Sequence, residues 1–139
     1  MANILVVDDS VVYRQIIVDI LQSGGHNVVG EAVNGVEGVS LYKKLRPEII
    51  TLDLTMPELD GLGVLKIIKD DDPNAQVIIV SASAQSKMIA KAIRLGATDF
   101  LPKPFESKKV LEAIERIIAA NELEDDDAEI DLSDLNLDV

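Results

Sequence analysis

Five short apolar runs recur along the chain at a steady interval, and they constrain its fold more than any other feature. They are Ile4-Leu5-Val6-Val7, Val28-Val29, Glu48-Ile49-Ile50-Thr51-Leu52, Val77-Ile78-Ile79-Val80 and Thr98-Asp99-Phe100-Leu101. Each is short and rich in β-branched side chains, which predicts strands rather than helices. Between them lie stretches with helical spacing. Val12, Ile16 and Ile20 fall on one face before a Gly24-Gly25 stop, and Val36, Val39 and Lys43 follow an Asn34 cap. Val64, Leu65 and Ile68 precede Pro73; Met88, Ala92 and Leu95 precede Gly96; Leu111, Ile114 and Ile118 form the last group. The chain therefore reads as five repeats of strand then helix.

Strands that are apolar throughout are buried on both faces, and strand–helix alternation demands parallel crossovers of one hand. The expected fold is α/β: a five-stranded parallel sheet with helices on both faces. The order 2-1-3-4-5 of flavodoxin-like sheets suits five such strands and is adopted by analogy, because the pattern does not rank them. In that order ligands bind outside the carboxyl ends of the strands, where the first and third are neighbours.

Those ends carry the chemistry. The first run ends in Asp8-Asp9, the third in Asp53 and the fourth in Ser81, while the fifth runs into Lys103-Pro104. Singly, each residue has a bland account: a helix cap for Asp8-Asp9 or Ser81, a turn residue for Asp53, a surface lysine for Lys103, a core aromatic for Phe100. Jointly, they would have to converge on one crevice by accident. Three crowded carboxylates repel each other, so either their pKa values rise or a cation sits among them. Mg²⁺ suits the place, since it accepts carboxylates, a carbonyl and waters. An aspartate beside such an ion and a lysine ammonium is also where a phosphoryl group can land. The carboxylate attacks phosphorus, Lys103 and the ion hold its oxygens, and Ser81 donates a hydrogen bond, giving an acyl phosphate.

Composition narrows the rivals. The chain has no cysteine and a single histidine, His26, so thiolate chemistry and multi-histidine metal cages are excluded. The first strand–helix turn reads Asp8-Asp9-Ser10 rather than a glycine-rich dinucleotide loop, and no nucleotide P-loop occurs. Gly61-Leu62-Gly63 lacks the preceding strand such a loop needs, and a flavin phosphate would be repelled by the acids.

The sequence strongly resembles the response-regulator receiver family over residues 3–120. The matching pattern is Val6-Val7-Asp8-Asp9-Ser10, then Asp53-Leu54-Thr55-Met56-Pro57-Glu58-Leu59-Asp60-Gly61, then Ser81-Ala82, then Asp99-Phe100-Leu101-Pro102-Lys103-Pro104-Phe105. The chemotaxis regulator of that family is itself a standard example of the 2-1-3-4-5 order. The resemblance implies that Asp53 is the phospho-acceptor and that Asp8, Asp9, Asp53 and the backbone carbonyl of Thr55 hold Mg²⁺. It further implies that Ser81 and Lys103 bind the phosphoryl group, that the Lys103–Pro104 bond is cis, and that Ser81 and Phe100 form the switch, with Phe where chemotaxis members often have Tyr. Thr55 and Ser83 take the family's positions for control of water access. A sensor histidine kinase is the implied donor, and a target, such as the flagellar switch, is implied on the face of the fourth helix, fifth strand and fifth helix. The stand-alone chemotaxis regulators are the nearest subgroup by style, through Gly30-Glu31-Ala32-Val33-Asn34-Gly35 and Thr51 to Pro57. Phosphorelay receivers and a receiver cut from a longer regulator share the same pattern.

The net charge of -12 is unevenly spread: residues 121–139 hold nine of the 25 acids and none of the 13 lysines and arginines. The expected division is a receiver domain over 1–120 and an acidic tail over 121–139, with no output domain. Within the tail, Ala128-Glu129-Ile130-Asp131-Leu132 resembles the acidic, apolar-anchored peptide of the flagellar switch. No basic stripe or aromatic platform is available for nucleic acid, and no apolar run is long enough for a membrane span. The Met1-Ala2-Asn3 start shows no signal peptide, so a cytoplasmic location is expected. A rival enzyme reading, a phosphoaspartyl-type metal-dependent hydrolase, needs an acid two residues after Asp53, where Thr55 stands, and a lid domain for which the length leaves no room.

Overall fold

The computed structural model describes residues 1–56, 58–82 and 85–129, with side chains as far as Leu123. Strands β1 (Asn3–Val7), β2 (Asn27–Ala32), β3 (Ile49–Leu52), β4 (Gln76–Ser81) and β5 (Asp99–Pro102) alternate with helices. The helices are α1 (Val11–Ser23), α2 (Gly35–Leu45), α3 (Gly61–Asp71), α4 (Ser86–Arg94) and α5 (Ser107–Glu129). All neighbouring strands are parallel and the order is β2-β1-β3-β4-β5, as expected.

The continuous apolar runs divide by alternation between two cores. Ile4, Val6, Ile49, Ile78 and Val80 face one side and pack under α1 and α5, against Ile17, Leu21, Val110, Ile114 and Ile117. Leu5, Val7, Ile50, Leu52, Val77 and Ile79 face the other, under α2, α3 and α4, against Tyr42, Val64, Leu65, Ile68 and Ala92. The helices thus cover both faces of the sheet. Among the described residues no helix is long and apolar enough to cross a membrane.

Three details depart from the periodicity. The buried face of α1 is Ile17, Val18, Ile20 and Leu21, whereas Val12 and Ile16 are 67% and 41% exposed. Spacing of four residues drifts around a 3.6-residue helix, and α1 packs through its second half while its first turn stands at the edge of the sheet. In α2 the sheet is met by Gly38 and Tyr42, and Val36 is exposed. A Cβ on Gly38 would lie 2.9 Å from Val7 Cγ1, so only glycine lets α2 settle there. The last helix continues through the acidic run to Glu129, carried by helix formers such as Glu, Leu and Ala beyond a packed first half. Residue 121, where the charge changes, therefore lies inside α5. Residues 130–139, including the apolar anchors Ile130 and Leu132, lie outside the described residues.

Candidate functional site

The sheet's hydrogen-bond ladder runs one residue past β1, β3 and β5 and sets the site residues in register. Asp8 N–H donates to the Ala32 carbonyl at 3.0 Å, Asp53 N–H to Val7 at 3.0 Å, and Lys103 N–H to Ser81 at 3.0 Å. Three functional positions are thus held by backbone bonds rather than by loops. The chain then turns into a helix from each end. Ser10 caps α1: its N–H donates to Asp8 Oδ1 at 2.8 Å and its hydroxyl accepts the Tyr13 N–H at 3.2 Å. Arg14, one turn on, donates to the Asp8 carbonyl at 2.9 Å and pairs with Glu31.

Asp8 and Asp53 are 1% and 4% exposed, Ser81 is fully buried, and Asp9 is exposed at the rim. One carboxylate oxygen from each of Asp8, Asp9 and Asp53 lies within 4.8 Å of the others. The Lys103 ammonium, itself buried, stands 2.7 Å from Asp8 Oδ2 and 3.3 Å from Asp53 Oδ2. Asp53 Oδ1 accepts the Thr55 N–H at 3.2 Å and the Thr55 hydroxyl at 3.3 Å. Burial pushes the Asp8 carboxyl above its ordinary pKa, against the pull of Lys103 and the Ser10 N–H.

The residues fit a hard divalent cation. The donor set is carboxylate oxygen without sulfur or imidazole, and three carboxylates face a single ion-paired ammonium. Asp8 Oδ2 is buried and makes no hydrogen bond among the described residues, only the Lys103 ion pair. The Asp8, Asp9 and Asp53 cluster could therefore hold a metal ion.

Phe100 sits on β5, half-buried against the core under α4. It lines a cavity of about 330 Å³ with Ile79, Ile89, Ala92 and Ile93, between α4 and the sheet. The Lys103–Pro104 bond is cis, as the resemblance implied. Ser83 and Pro57 lie outside the described residues. His26 takes no part: it stands at the amino ends of the strands, buried, with Nδ1 accepting the Ala2 N–H at 3.1 Å.

Two supporting residues escaped the sequence reading. Gly61 starts α3 directly behind Asp53: a Cβ there would come within 2.2 Å of the Asp53 carbonyl oxygen and 2.4 Å of Leu54 Cα. The glycine stands in the quoted motif, but its partner is set only by the turn back of the chain. Tyr13 places its ring 4.4 Å from the Lys103 ammonium. Its signal was a lone aromatic five residues after Asp8 in a chain that is 3% aromatic.

Residues 4–115 match the model of the response regulator receiver domain. The chain is 45% identical to the chemotaxis protein CheY of Thermotoga maritima over 115 residues, covering 83% of this chain and 96% of that one. It is 47% identical to CheY of Bacillus subtilis over 116 residues, covering 84% and 97%. Among solved structures, CheY in the CheX-CheY-BeF3-Mg complex from Borrelia burgdorferi is similar at a TM-score of 0.81 and 36% identity, covering 84% of this chain and 88% of that one.

Proposed function

Because this chain belongs to the response regulator receiver domain family of two-component signalling, we propose that it is a phosphorylation-driven switch in chemotaxis, with Asp53 as the phospho-acceptor. The observation that carries the reading is the buried Asp53 carboxylate, held 3.3 Å from the Lys103 ammonium within an otherwise acidic cluster. A sensor histidine kinase supplies the phosphoryl group as phosphohistidine. An Asp53 oxygen forms the new P–O bond, the P–N bond breaks, and the imidazole leaves with a proton from solvent. Lys103 offsets charge on the transferring oxygens, and Ser81, tied to Lys103 through its own carbonyl, donates to one of them. Asp8, Asp9, Asp53 and the Thr55 carbonyl would hold Mg²⁺, whose chemistry there would be neutralisation of charge on the phosphoryl oxygens. The chain catalyses only its own phosphorylation and dephosphorylation, and it acts in the cytoplasm where its kinase presents the donor.

The readout surface is the α4, β5 and α5 face. Phosphorylation draws Ser81 toward the new group, and Phe100 turns into the space behind it; the cavity beside Phe100 supports such a move. α4 carries the exposed cations Lys87, Lys91 and Arg94, suited to an acidic target such as a flagellar switch segment. The acidic chain after residue 121 is a candidate competitor for it. Chemotaxis is favoured over other receiver roles because the two CheY relatives compared above are chemotaxis proteins matched over nearly their whole length.

The test is incubation with acetyl phosphate and Mg²⁺ followed by intact-mass measurement. Wild type should gain one phosphoryl group and Asp53→Asn none, since an amide is not nucleophilic enough to attack phosphorus. Equal labelling of the two would remove Asp53 from the role.

A further inference from the structure

Lys103 is held by three groups, and the third is not a carboxylate. Besides its ion pairs with Asp8 and Asp53, the ammonium lies 4.4 Å from the centre of the Tyr13 ring. An aromatic face attracts a cation through its quadrupole, most strongly where both are shielded from water, and the Lys103 side chain is 5% exposed. The ring is itself fixed. It packs on Phe105 with centroids 5.8 Å apart at a 49° tilt. Its backbone N–H is bonded to the Ser10 hydroxyl, in the same capped turn that anchors Asp8 Oδ1. Tyr13 and Asp8 thus reach Lys103 from one rigid unit.

The carboxylates cannot hold the ammonium steadily through the reaction. Asp8 and Asp53 are the residues a cation and a phosphoryl group would engage, and each such engagement drains negative charge from the pairs with Lys103. The ring has no competing ligand. We propose that Tyr13 is a positioning residue for Lys103, keeping the buried ammonium at Asp53 when Asp8 is occupied elsewhere. The inference rests on Lys103 as a phosphoryl-binding residue. It requires the aromatic face and not the hydroxyl, so phenylalanine should serve and an aliphatic side chain should not.

Using the full chain with acetyl phosphate and Mg²⁺, Tyr13→Leu should slow initial labelling about tenfold, or about 1.4 kcal/mol of barrier. Tyr13→Phe should label like wild type. In a Lys103→Met background, Tyr13→Leu should cause no further loss, because there is no ammonium left to position. A second readout does not depend on phosphorylation: ring-current displacement of the Lys103 Hε protons in NMR spectra should persist in Tyr13→Phe and vanish in Tyr13→Leu. Undiminished labelling by Tyr13→Leu, an equal loss in the Lys103→Met background, or Hε shifts indifferent to Tyr13→Leu would each overturn the proposal. Wild type that takes no label would overturn the phospho-acceptor reading instead, while the Hε shifts still decide whether Tyr13 holds Lys103.

Discussion

Replacing Lys103 by Met keeps the stem and removes the charge, and its consequences follow from the distances in the cluster. Carboxylate oxygens within 4.8 Å of one another repel by about 3.5 kcal/mol per ionised pair at an effective dielectric of about 20. The ammonium at 2.7 Å and 3.3 Å offsets this with gross attractions of about 6 and about 5 kcal/mol on the same scale. Much of that gain is cancelled by desolvation, and removing one partner of a buried pair typically costs about 3 kcal/mol or more. For a chain of this length that is a fall in Tm of about 10 °C. The cation site should respond in the opposite sense, since Lys103 and Mg²⁺ compete for the same negative field. At free Mg²⁺ of about 100 times Kd the wild type gains about 2.7 kcal/mol, and a tenfold tighter site raises the gain to about 4.1 kcal/mol. Calorimetric melts of both proteins with and without Mg²⁺ measure these quantities directly. The variant should melt lower without the ion and recover more with it. An Mg²⁺ increment in Lys103→Met equal to or below that of wild type would refute the reasoning and make Lys103 part of the scaffold that shapes the metal site.

Other perturbations test separate elements of the same picture. Asp9→Ala should show a smaller rise of Tm with Mg²⁺ than wild type, as one of three carboxylates is gone; an identical rise would put the ion elsewhere. Gly61→Ala drives a methyl into the backbone of Asp53 and Leu54, so it should lower the urea midpoint by an amount equivalent to about 1–3 kcal/mol and slow labelling of Asp53. The exposed Asp71 carboxyl is held below its ordinary pKa by the Arg46 guanidinium and then by the Tyr42 hydroxyl. A depressed folded pKa adds stability above the unfolded value and loses it as pH falls through the folded one. Asp71→Asn should therefore flatten the acid limb of stability, measured as urea midpoints between neutral pH and the acid range below the ordinary aspartate pKa, with a small loss at neutrality.

The five strand–helix repeats were legible in the sequence because burial leaves a local signature. A strand covered on both faces must be apolar at every position, as Ile4-Leu5-Val6-Val7 is, and the two cores share out those residues by simple alternation. The polar cluster was legible for a related reason. Parallel strands linked by crossovers of one hand carry all their carboxyl ends to one edge, so Asp8, Asp53, Ser81 and Lys103 meet there whatever the loops do. The strand order was not legible, because apolar runs of similar length carry no label of their neighbours; it came by analogy and resemblance, and the sheet agrees. Helical periodicity defines a face but not its phase against the sheet, which is how Val12 and Ile16 came out exposed while Ile17 and Leu21 are buried. The contacts that tune the site belong wholly to tertiary structure. Tyr13 meets Lys103 and Gly61 backs Asp53 only after α1 and α3 have docked on opposite faces of the sheet. No local pattern records such a meeting, since its distance is decided by how separate elements pack.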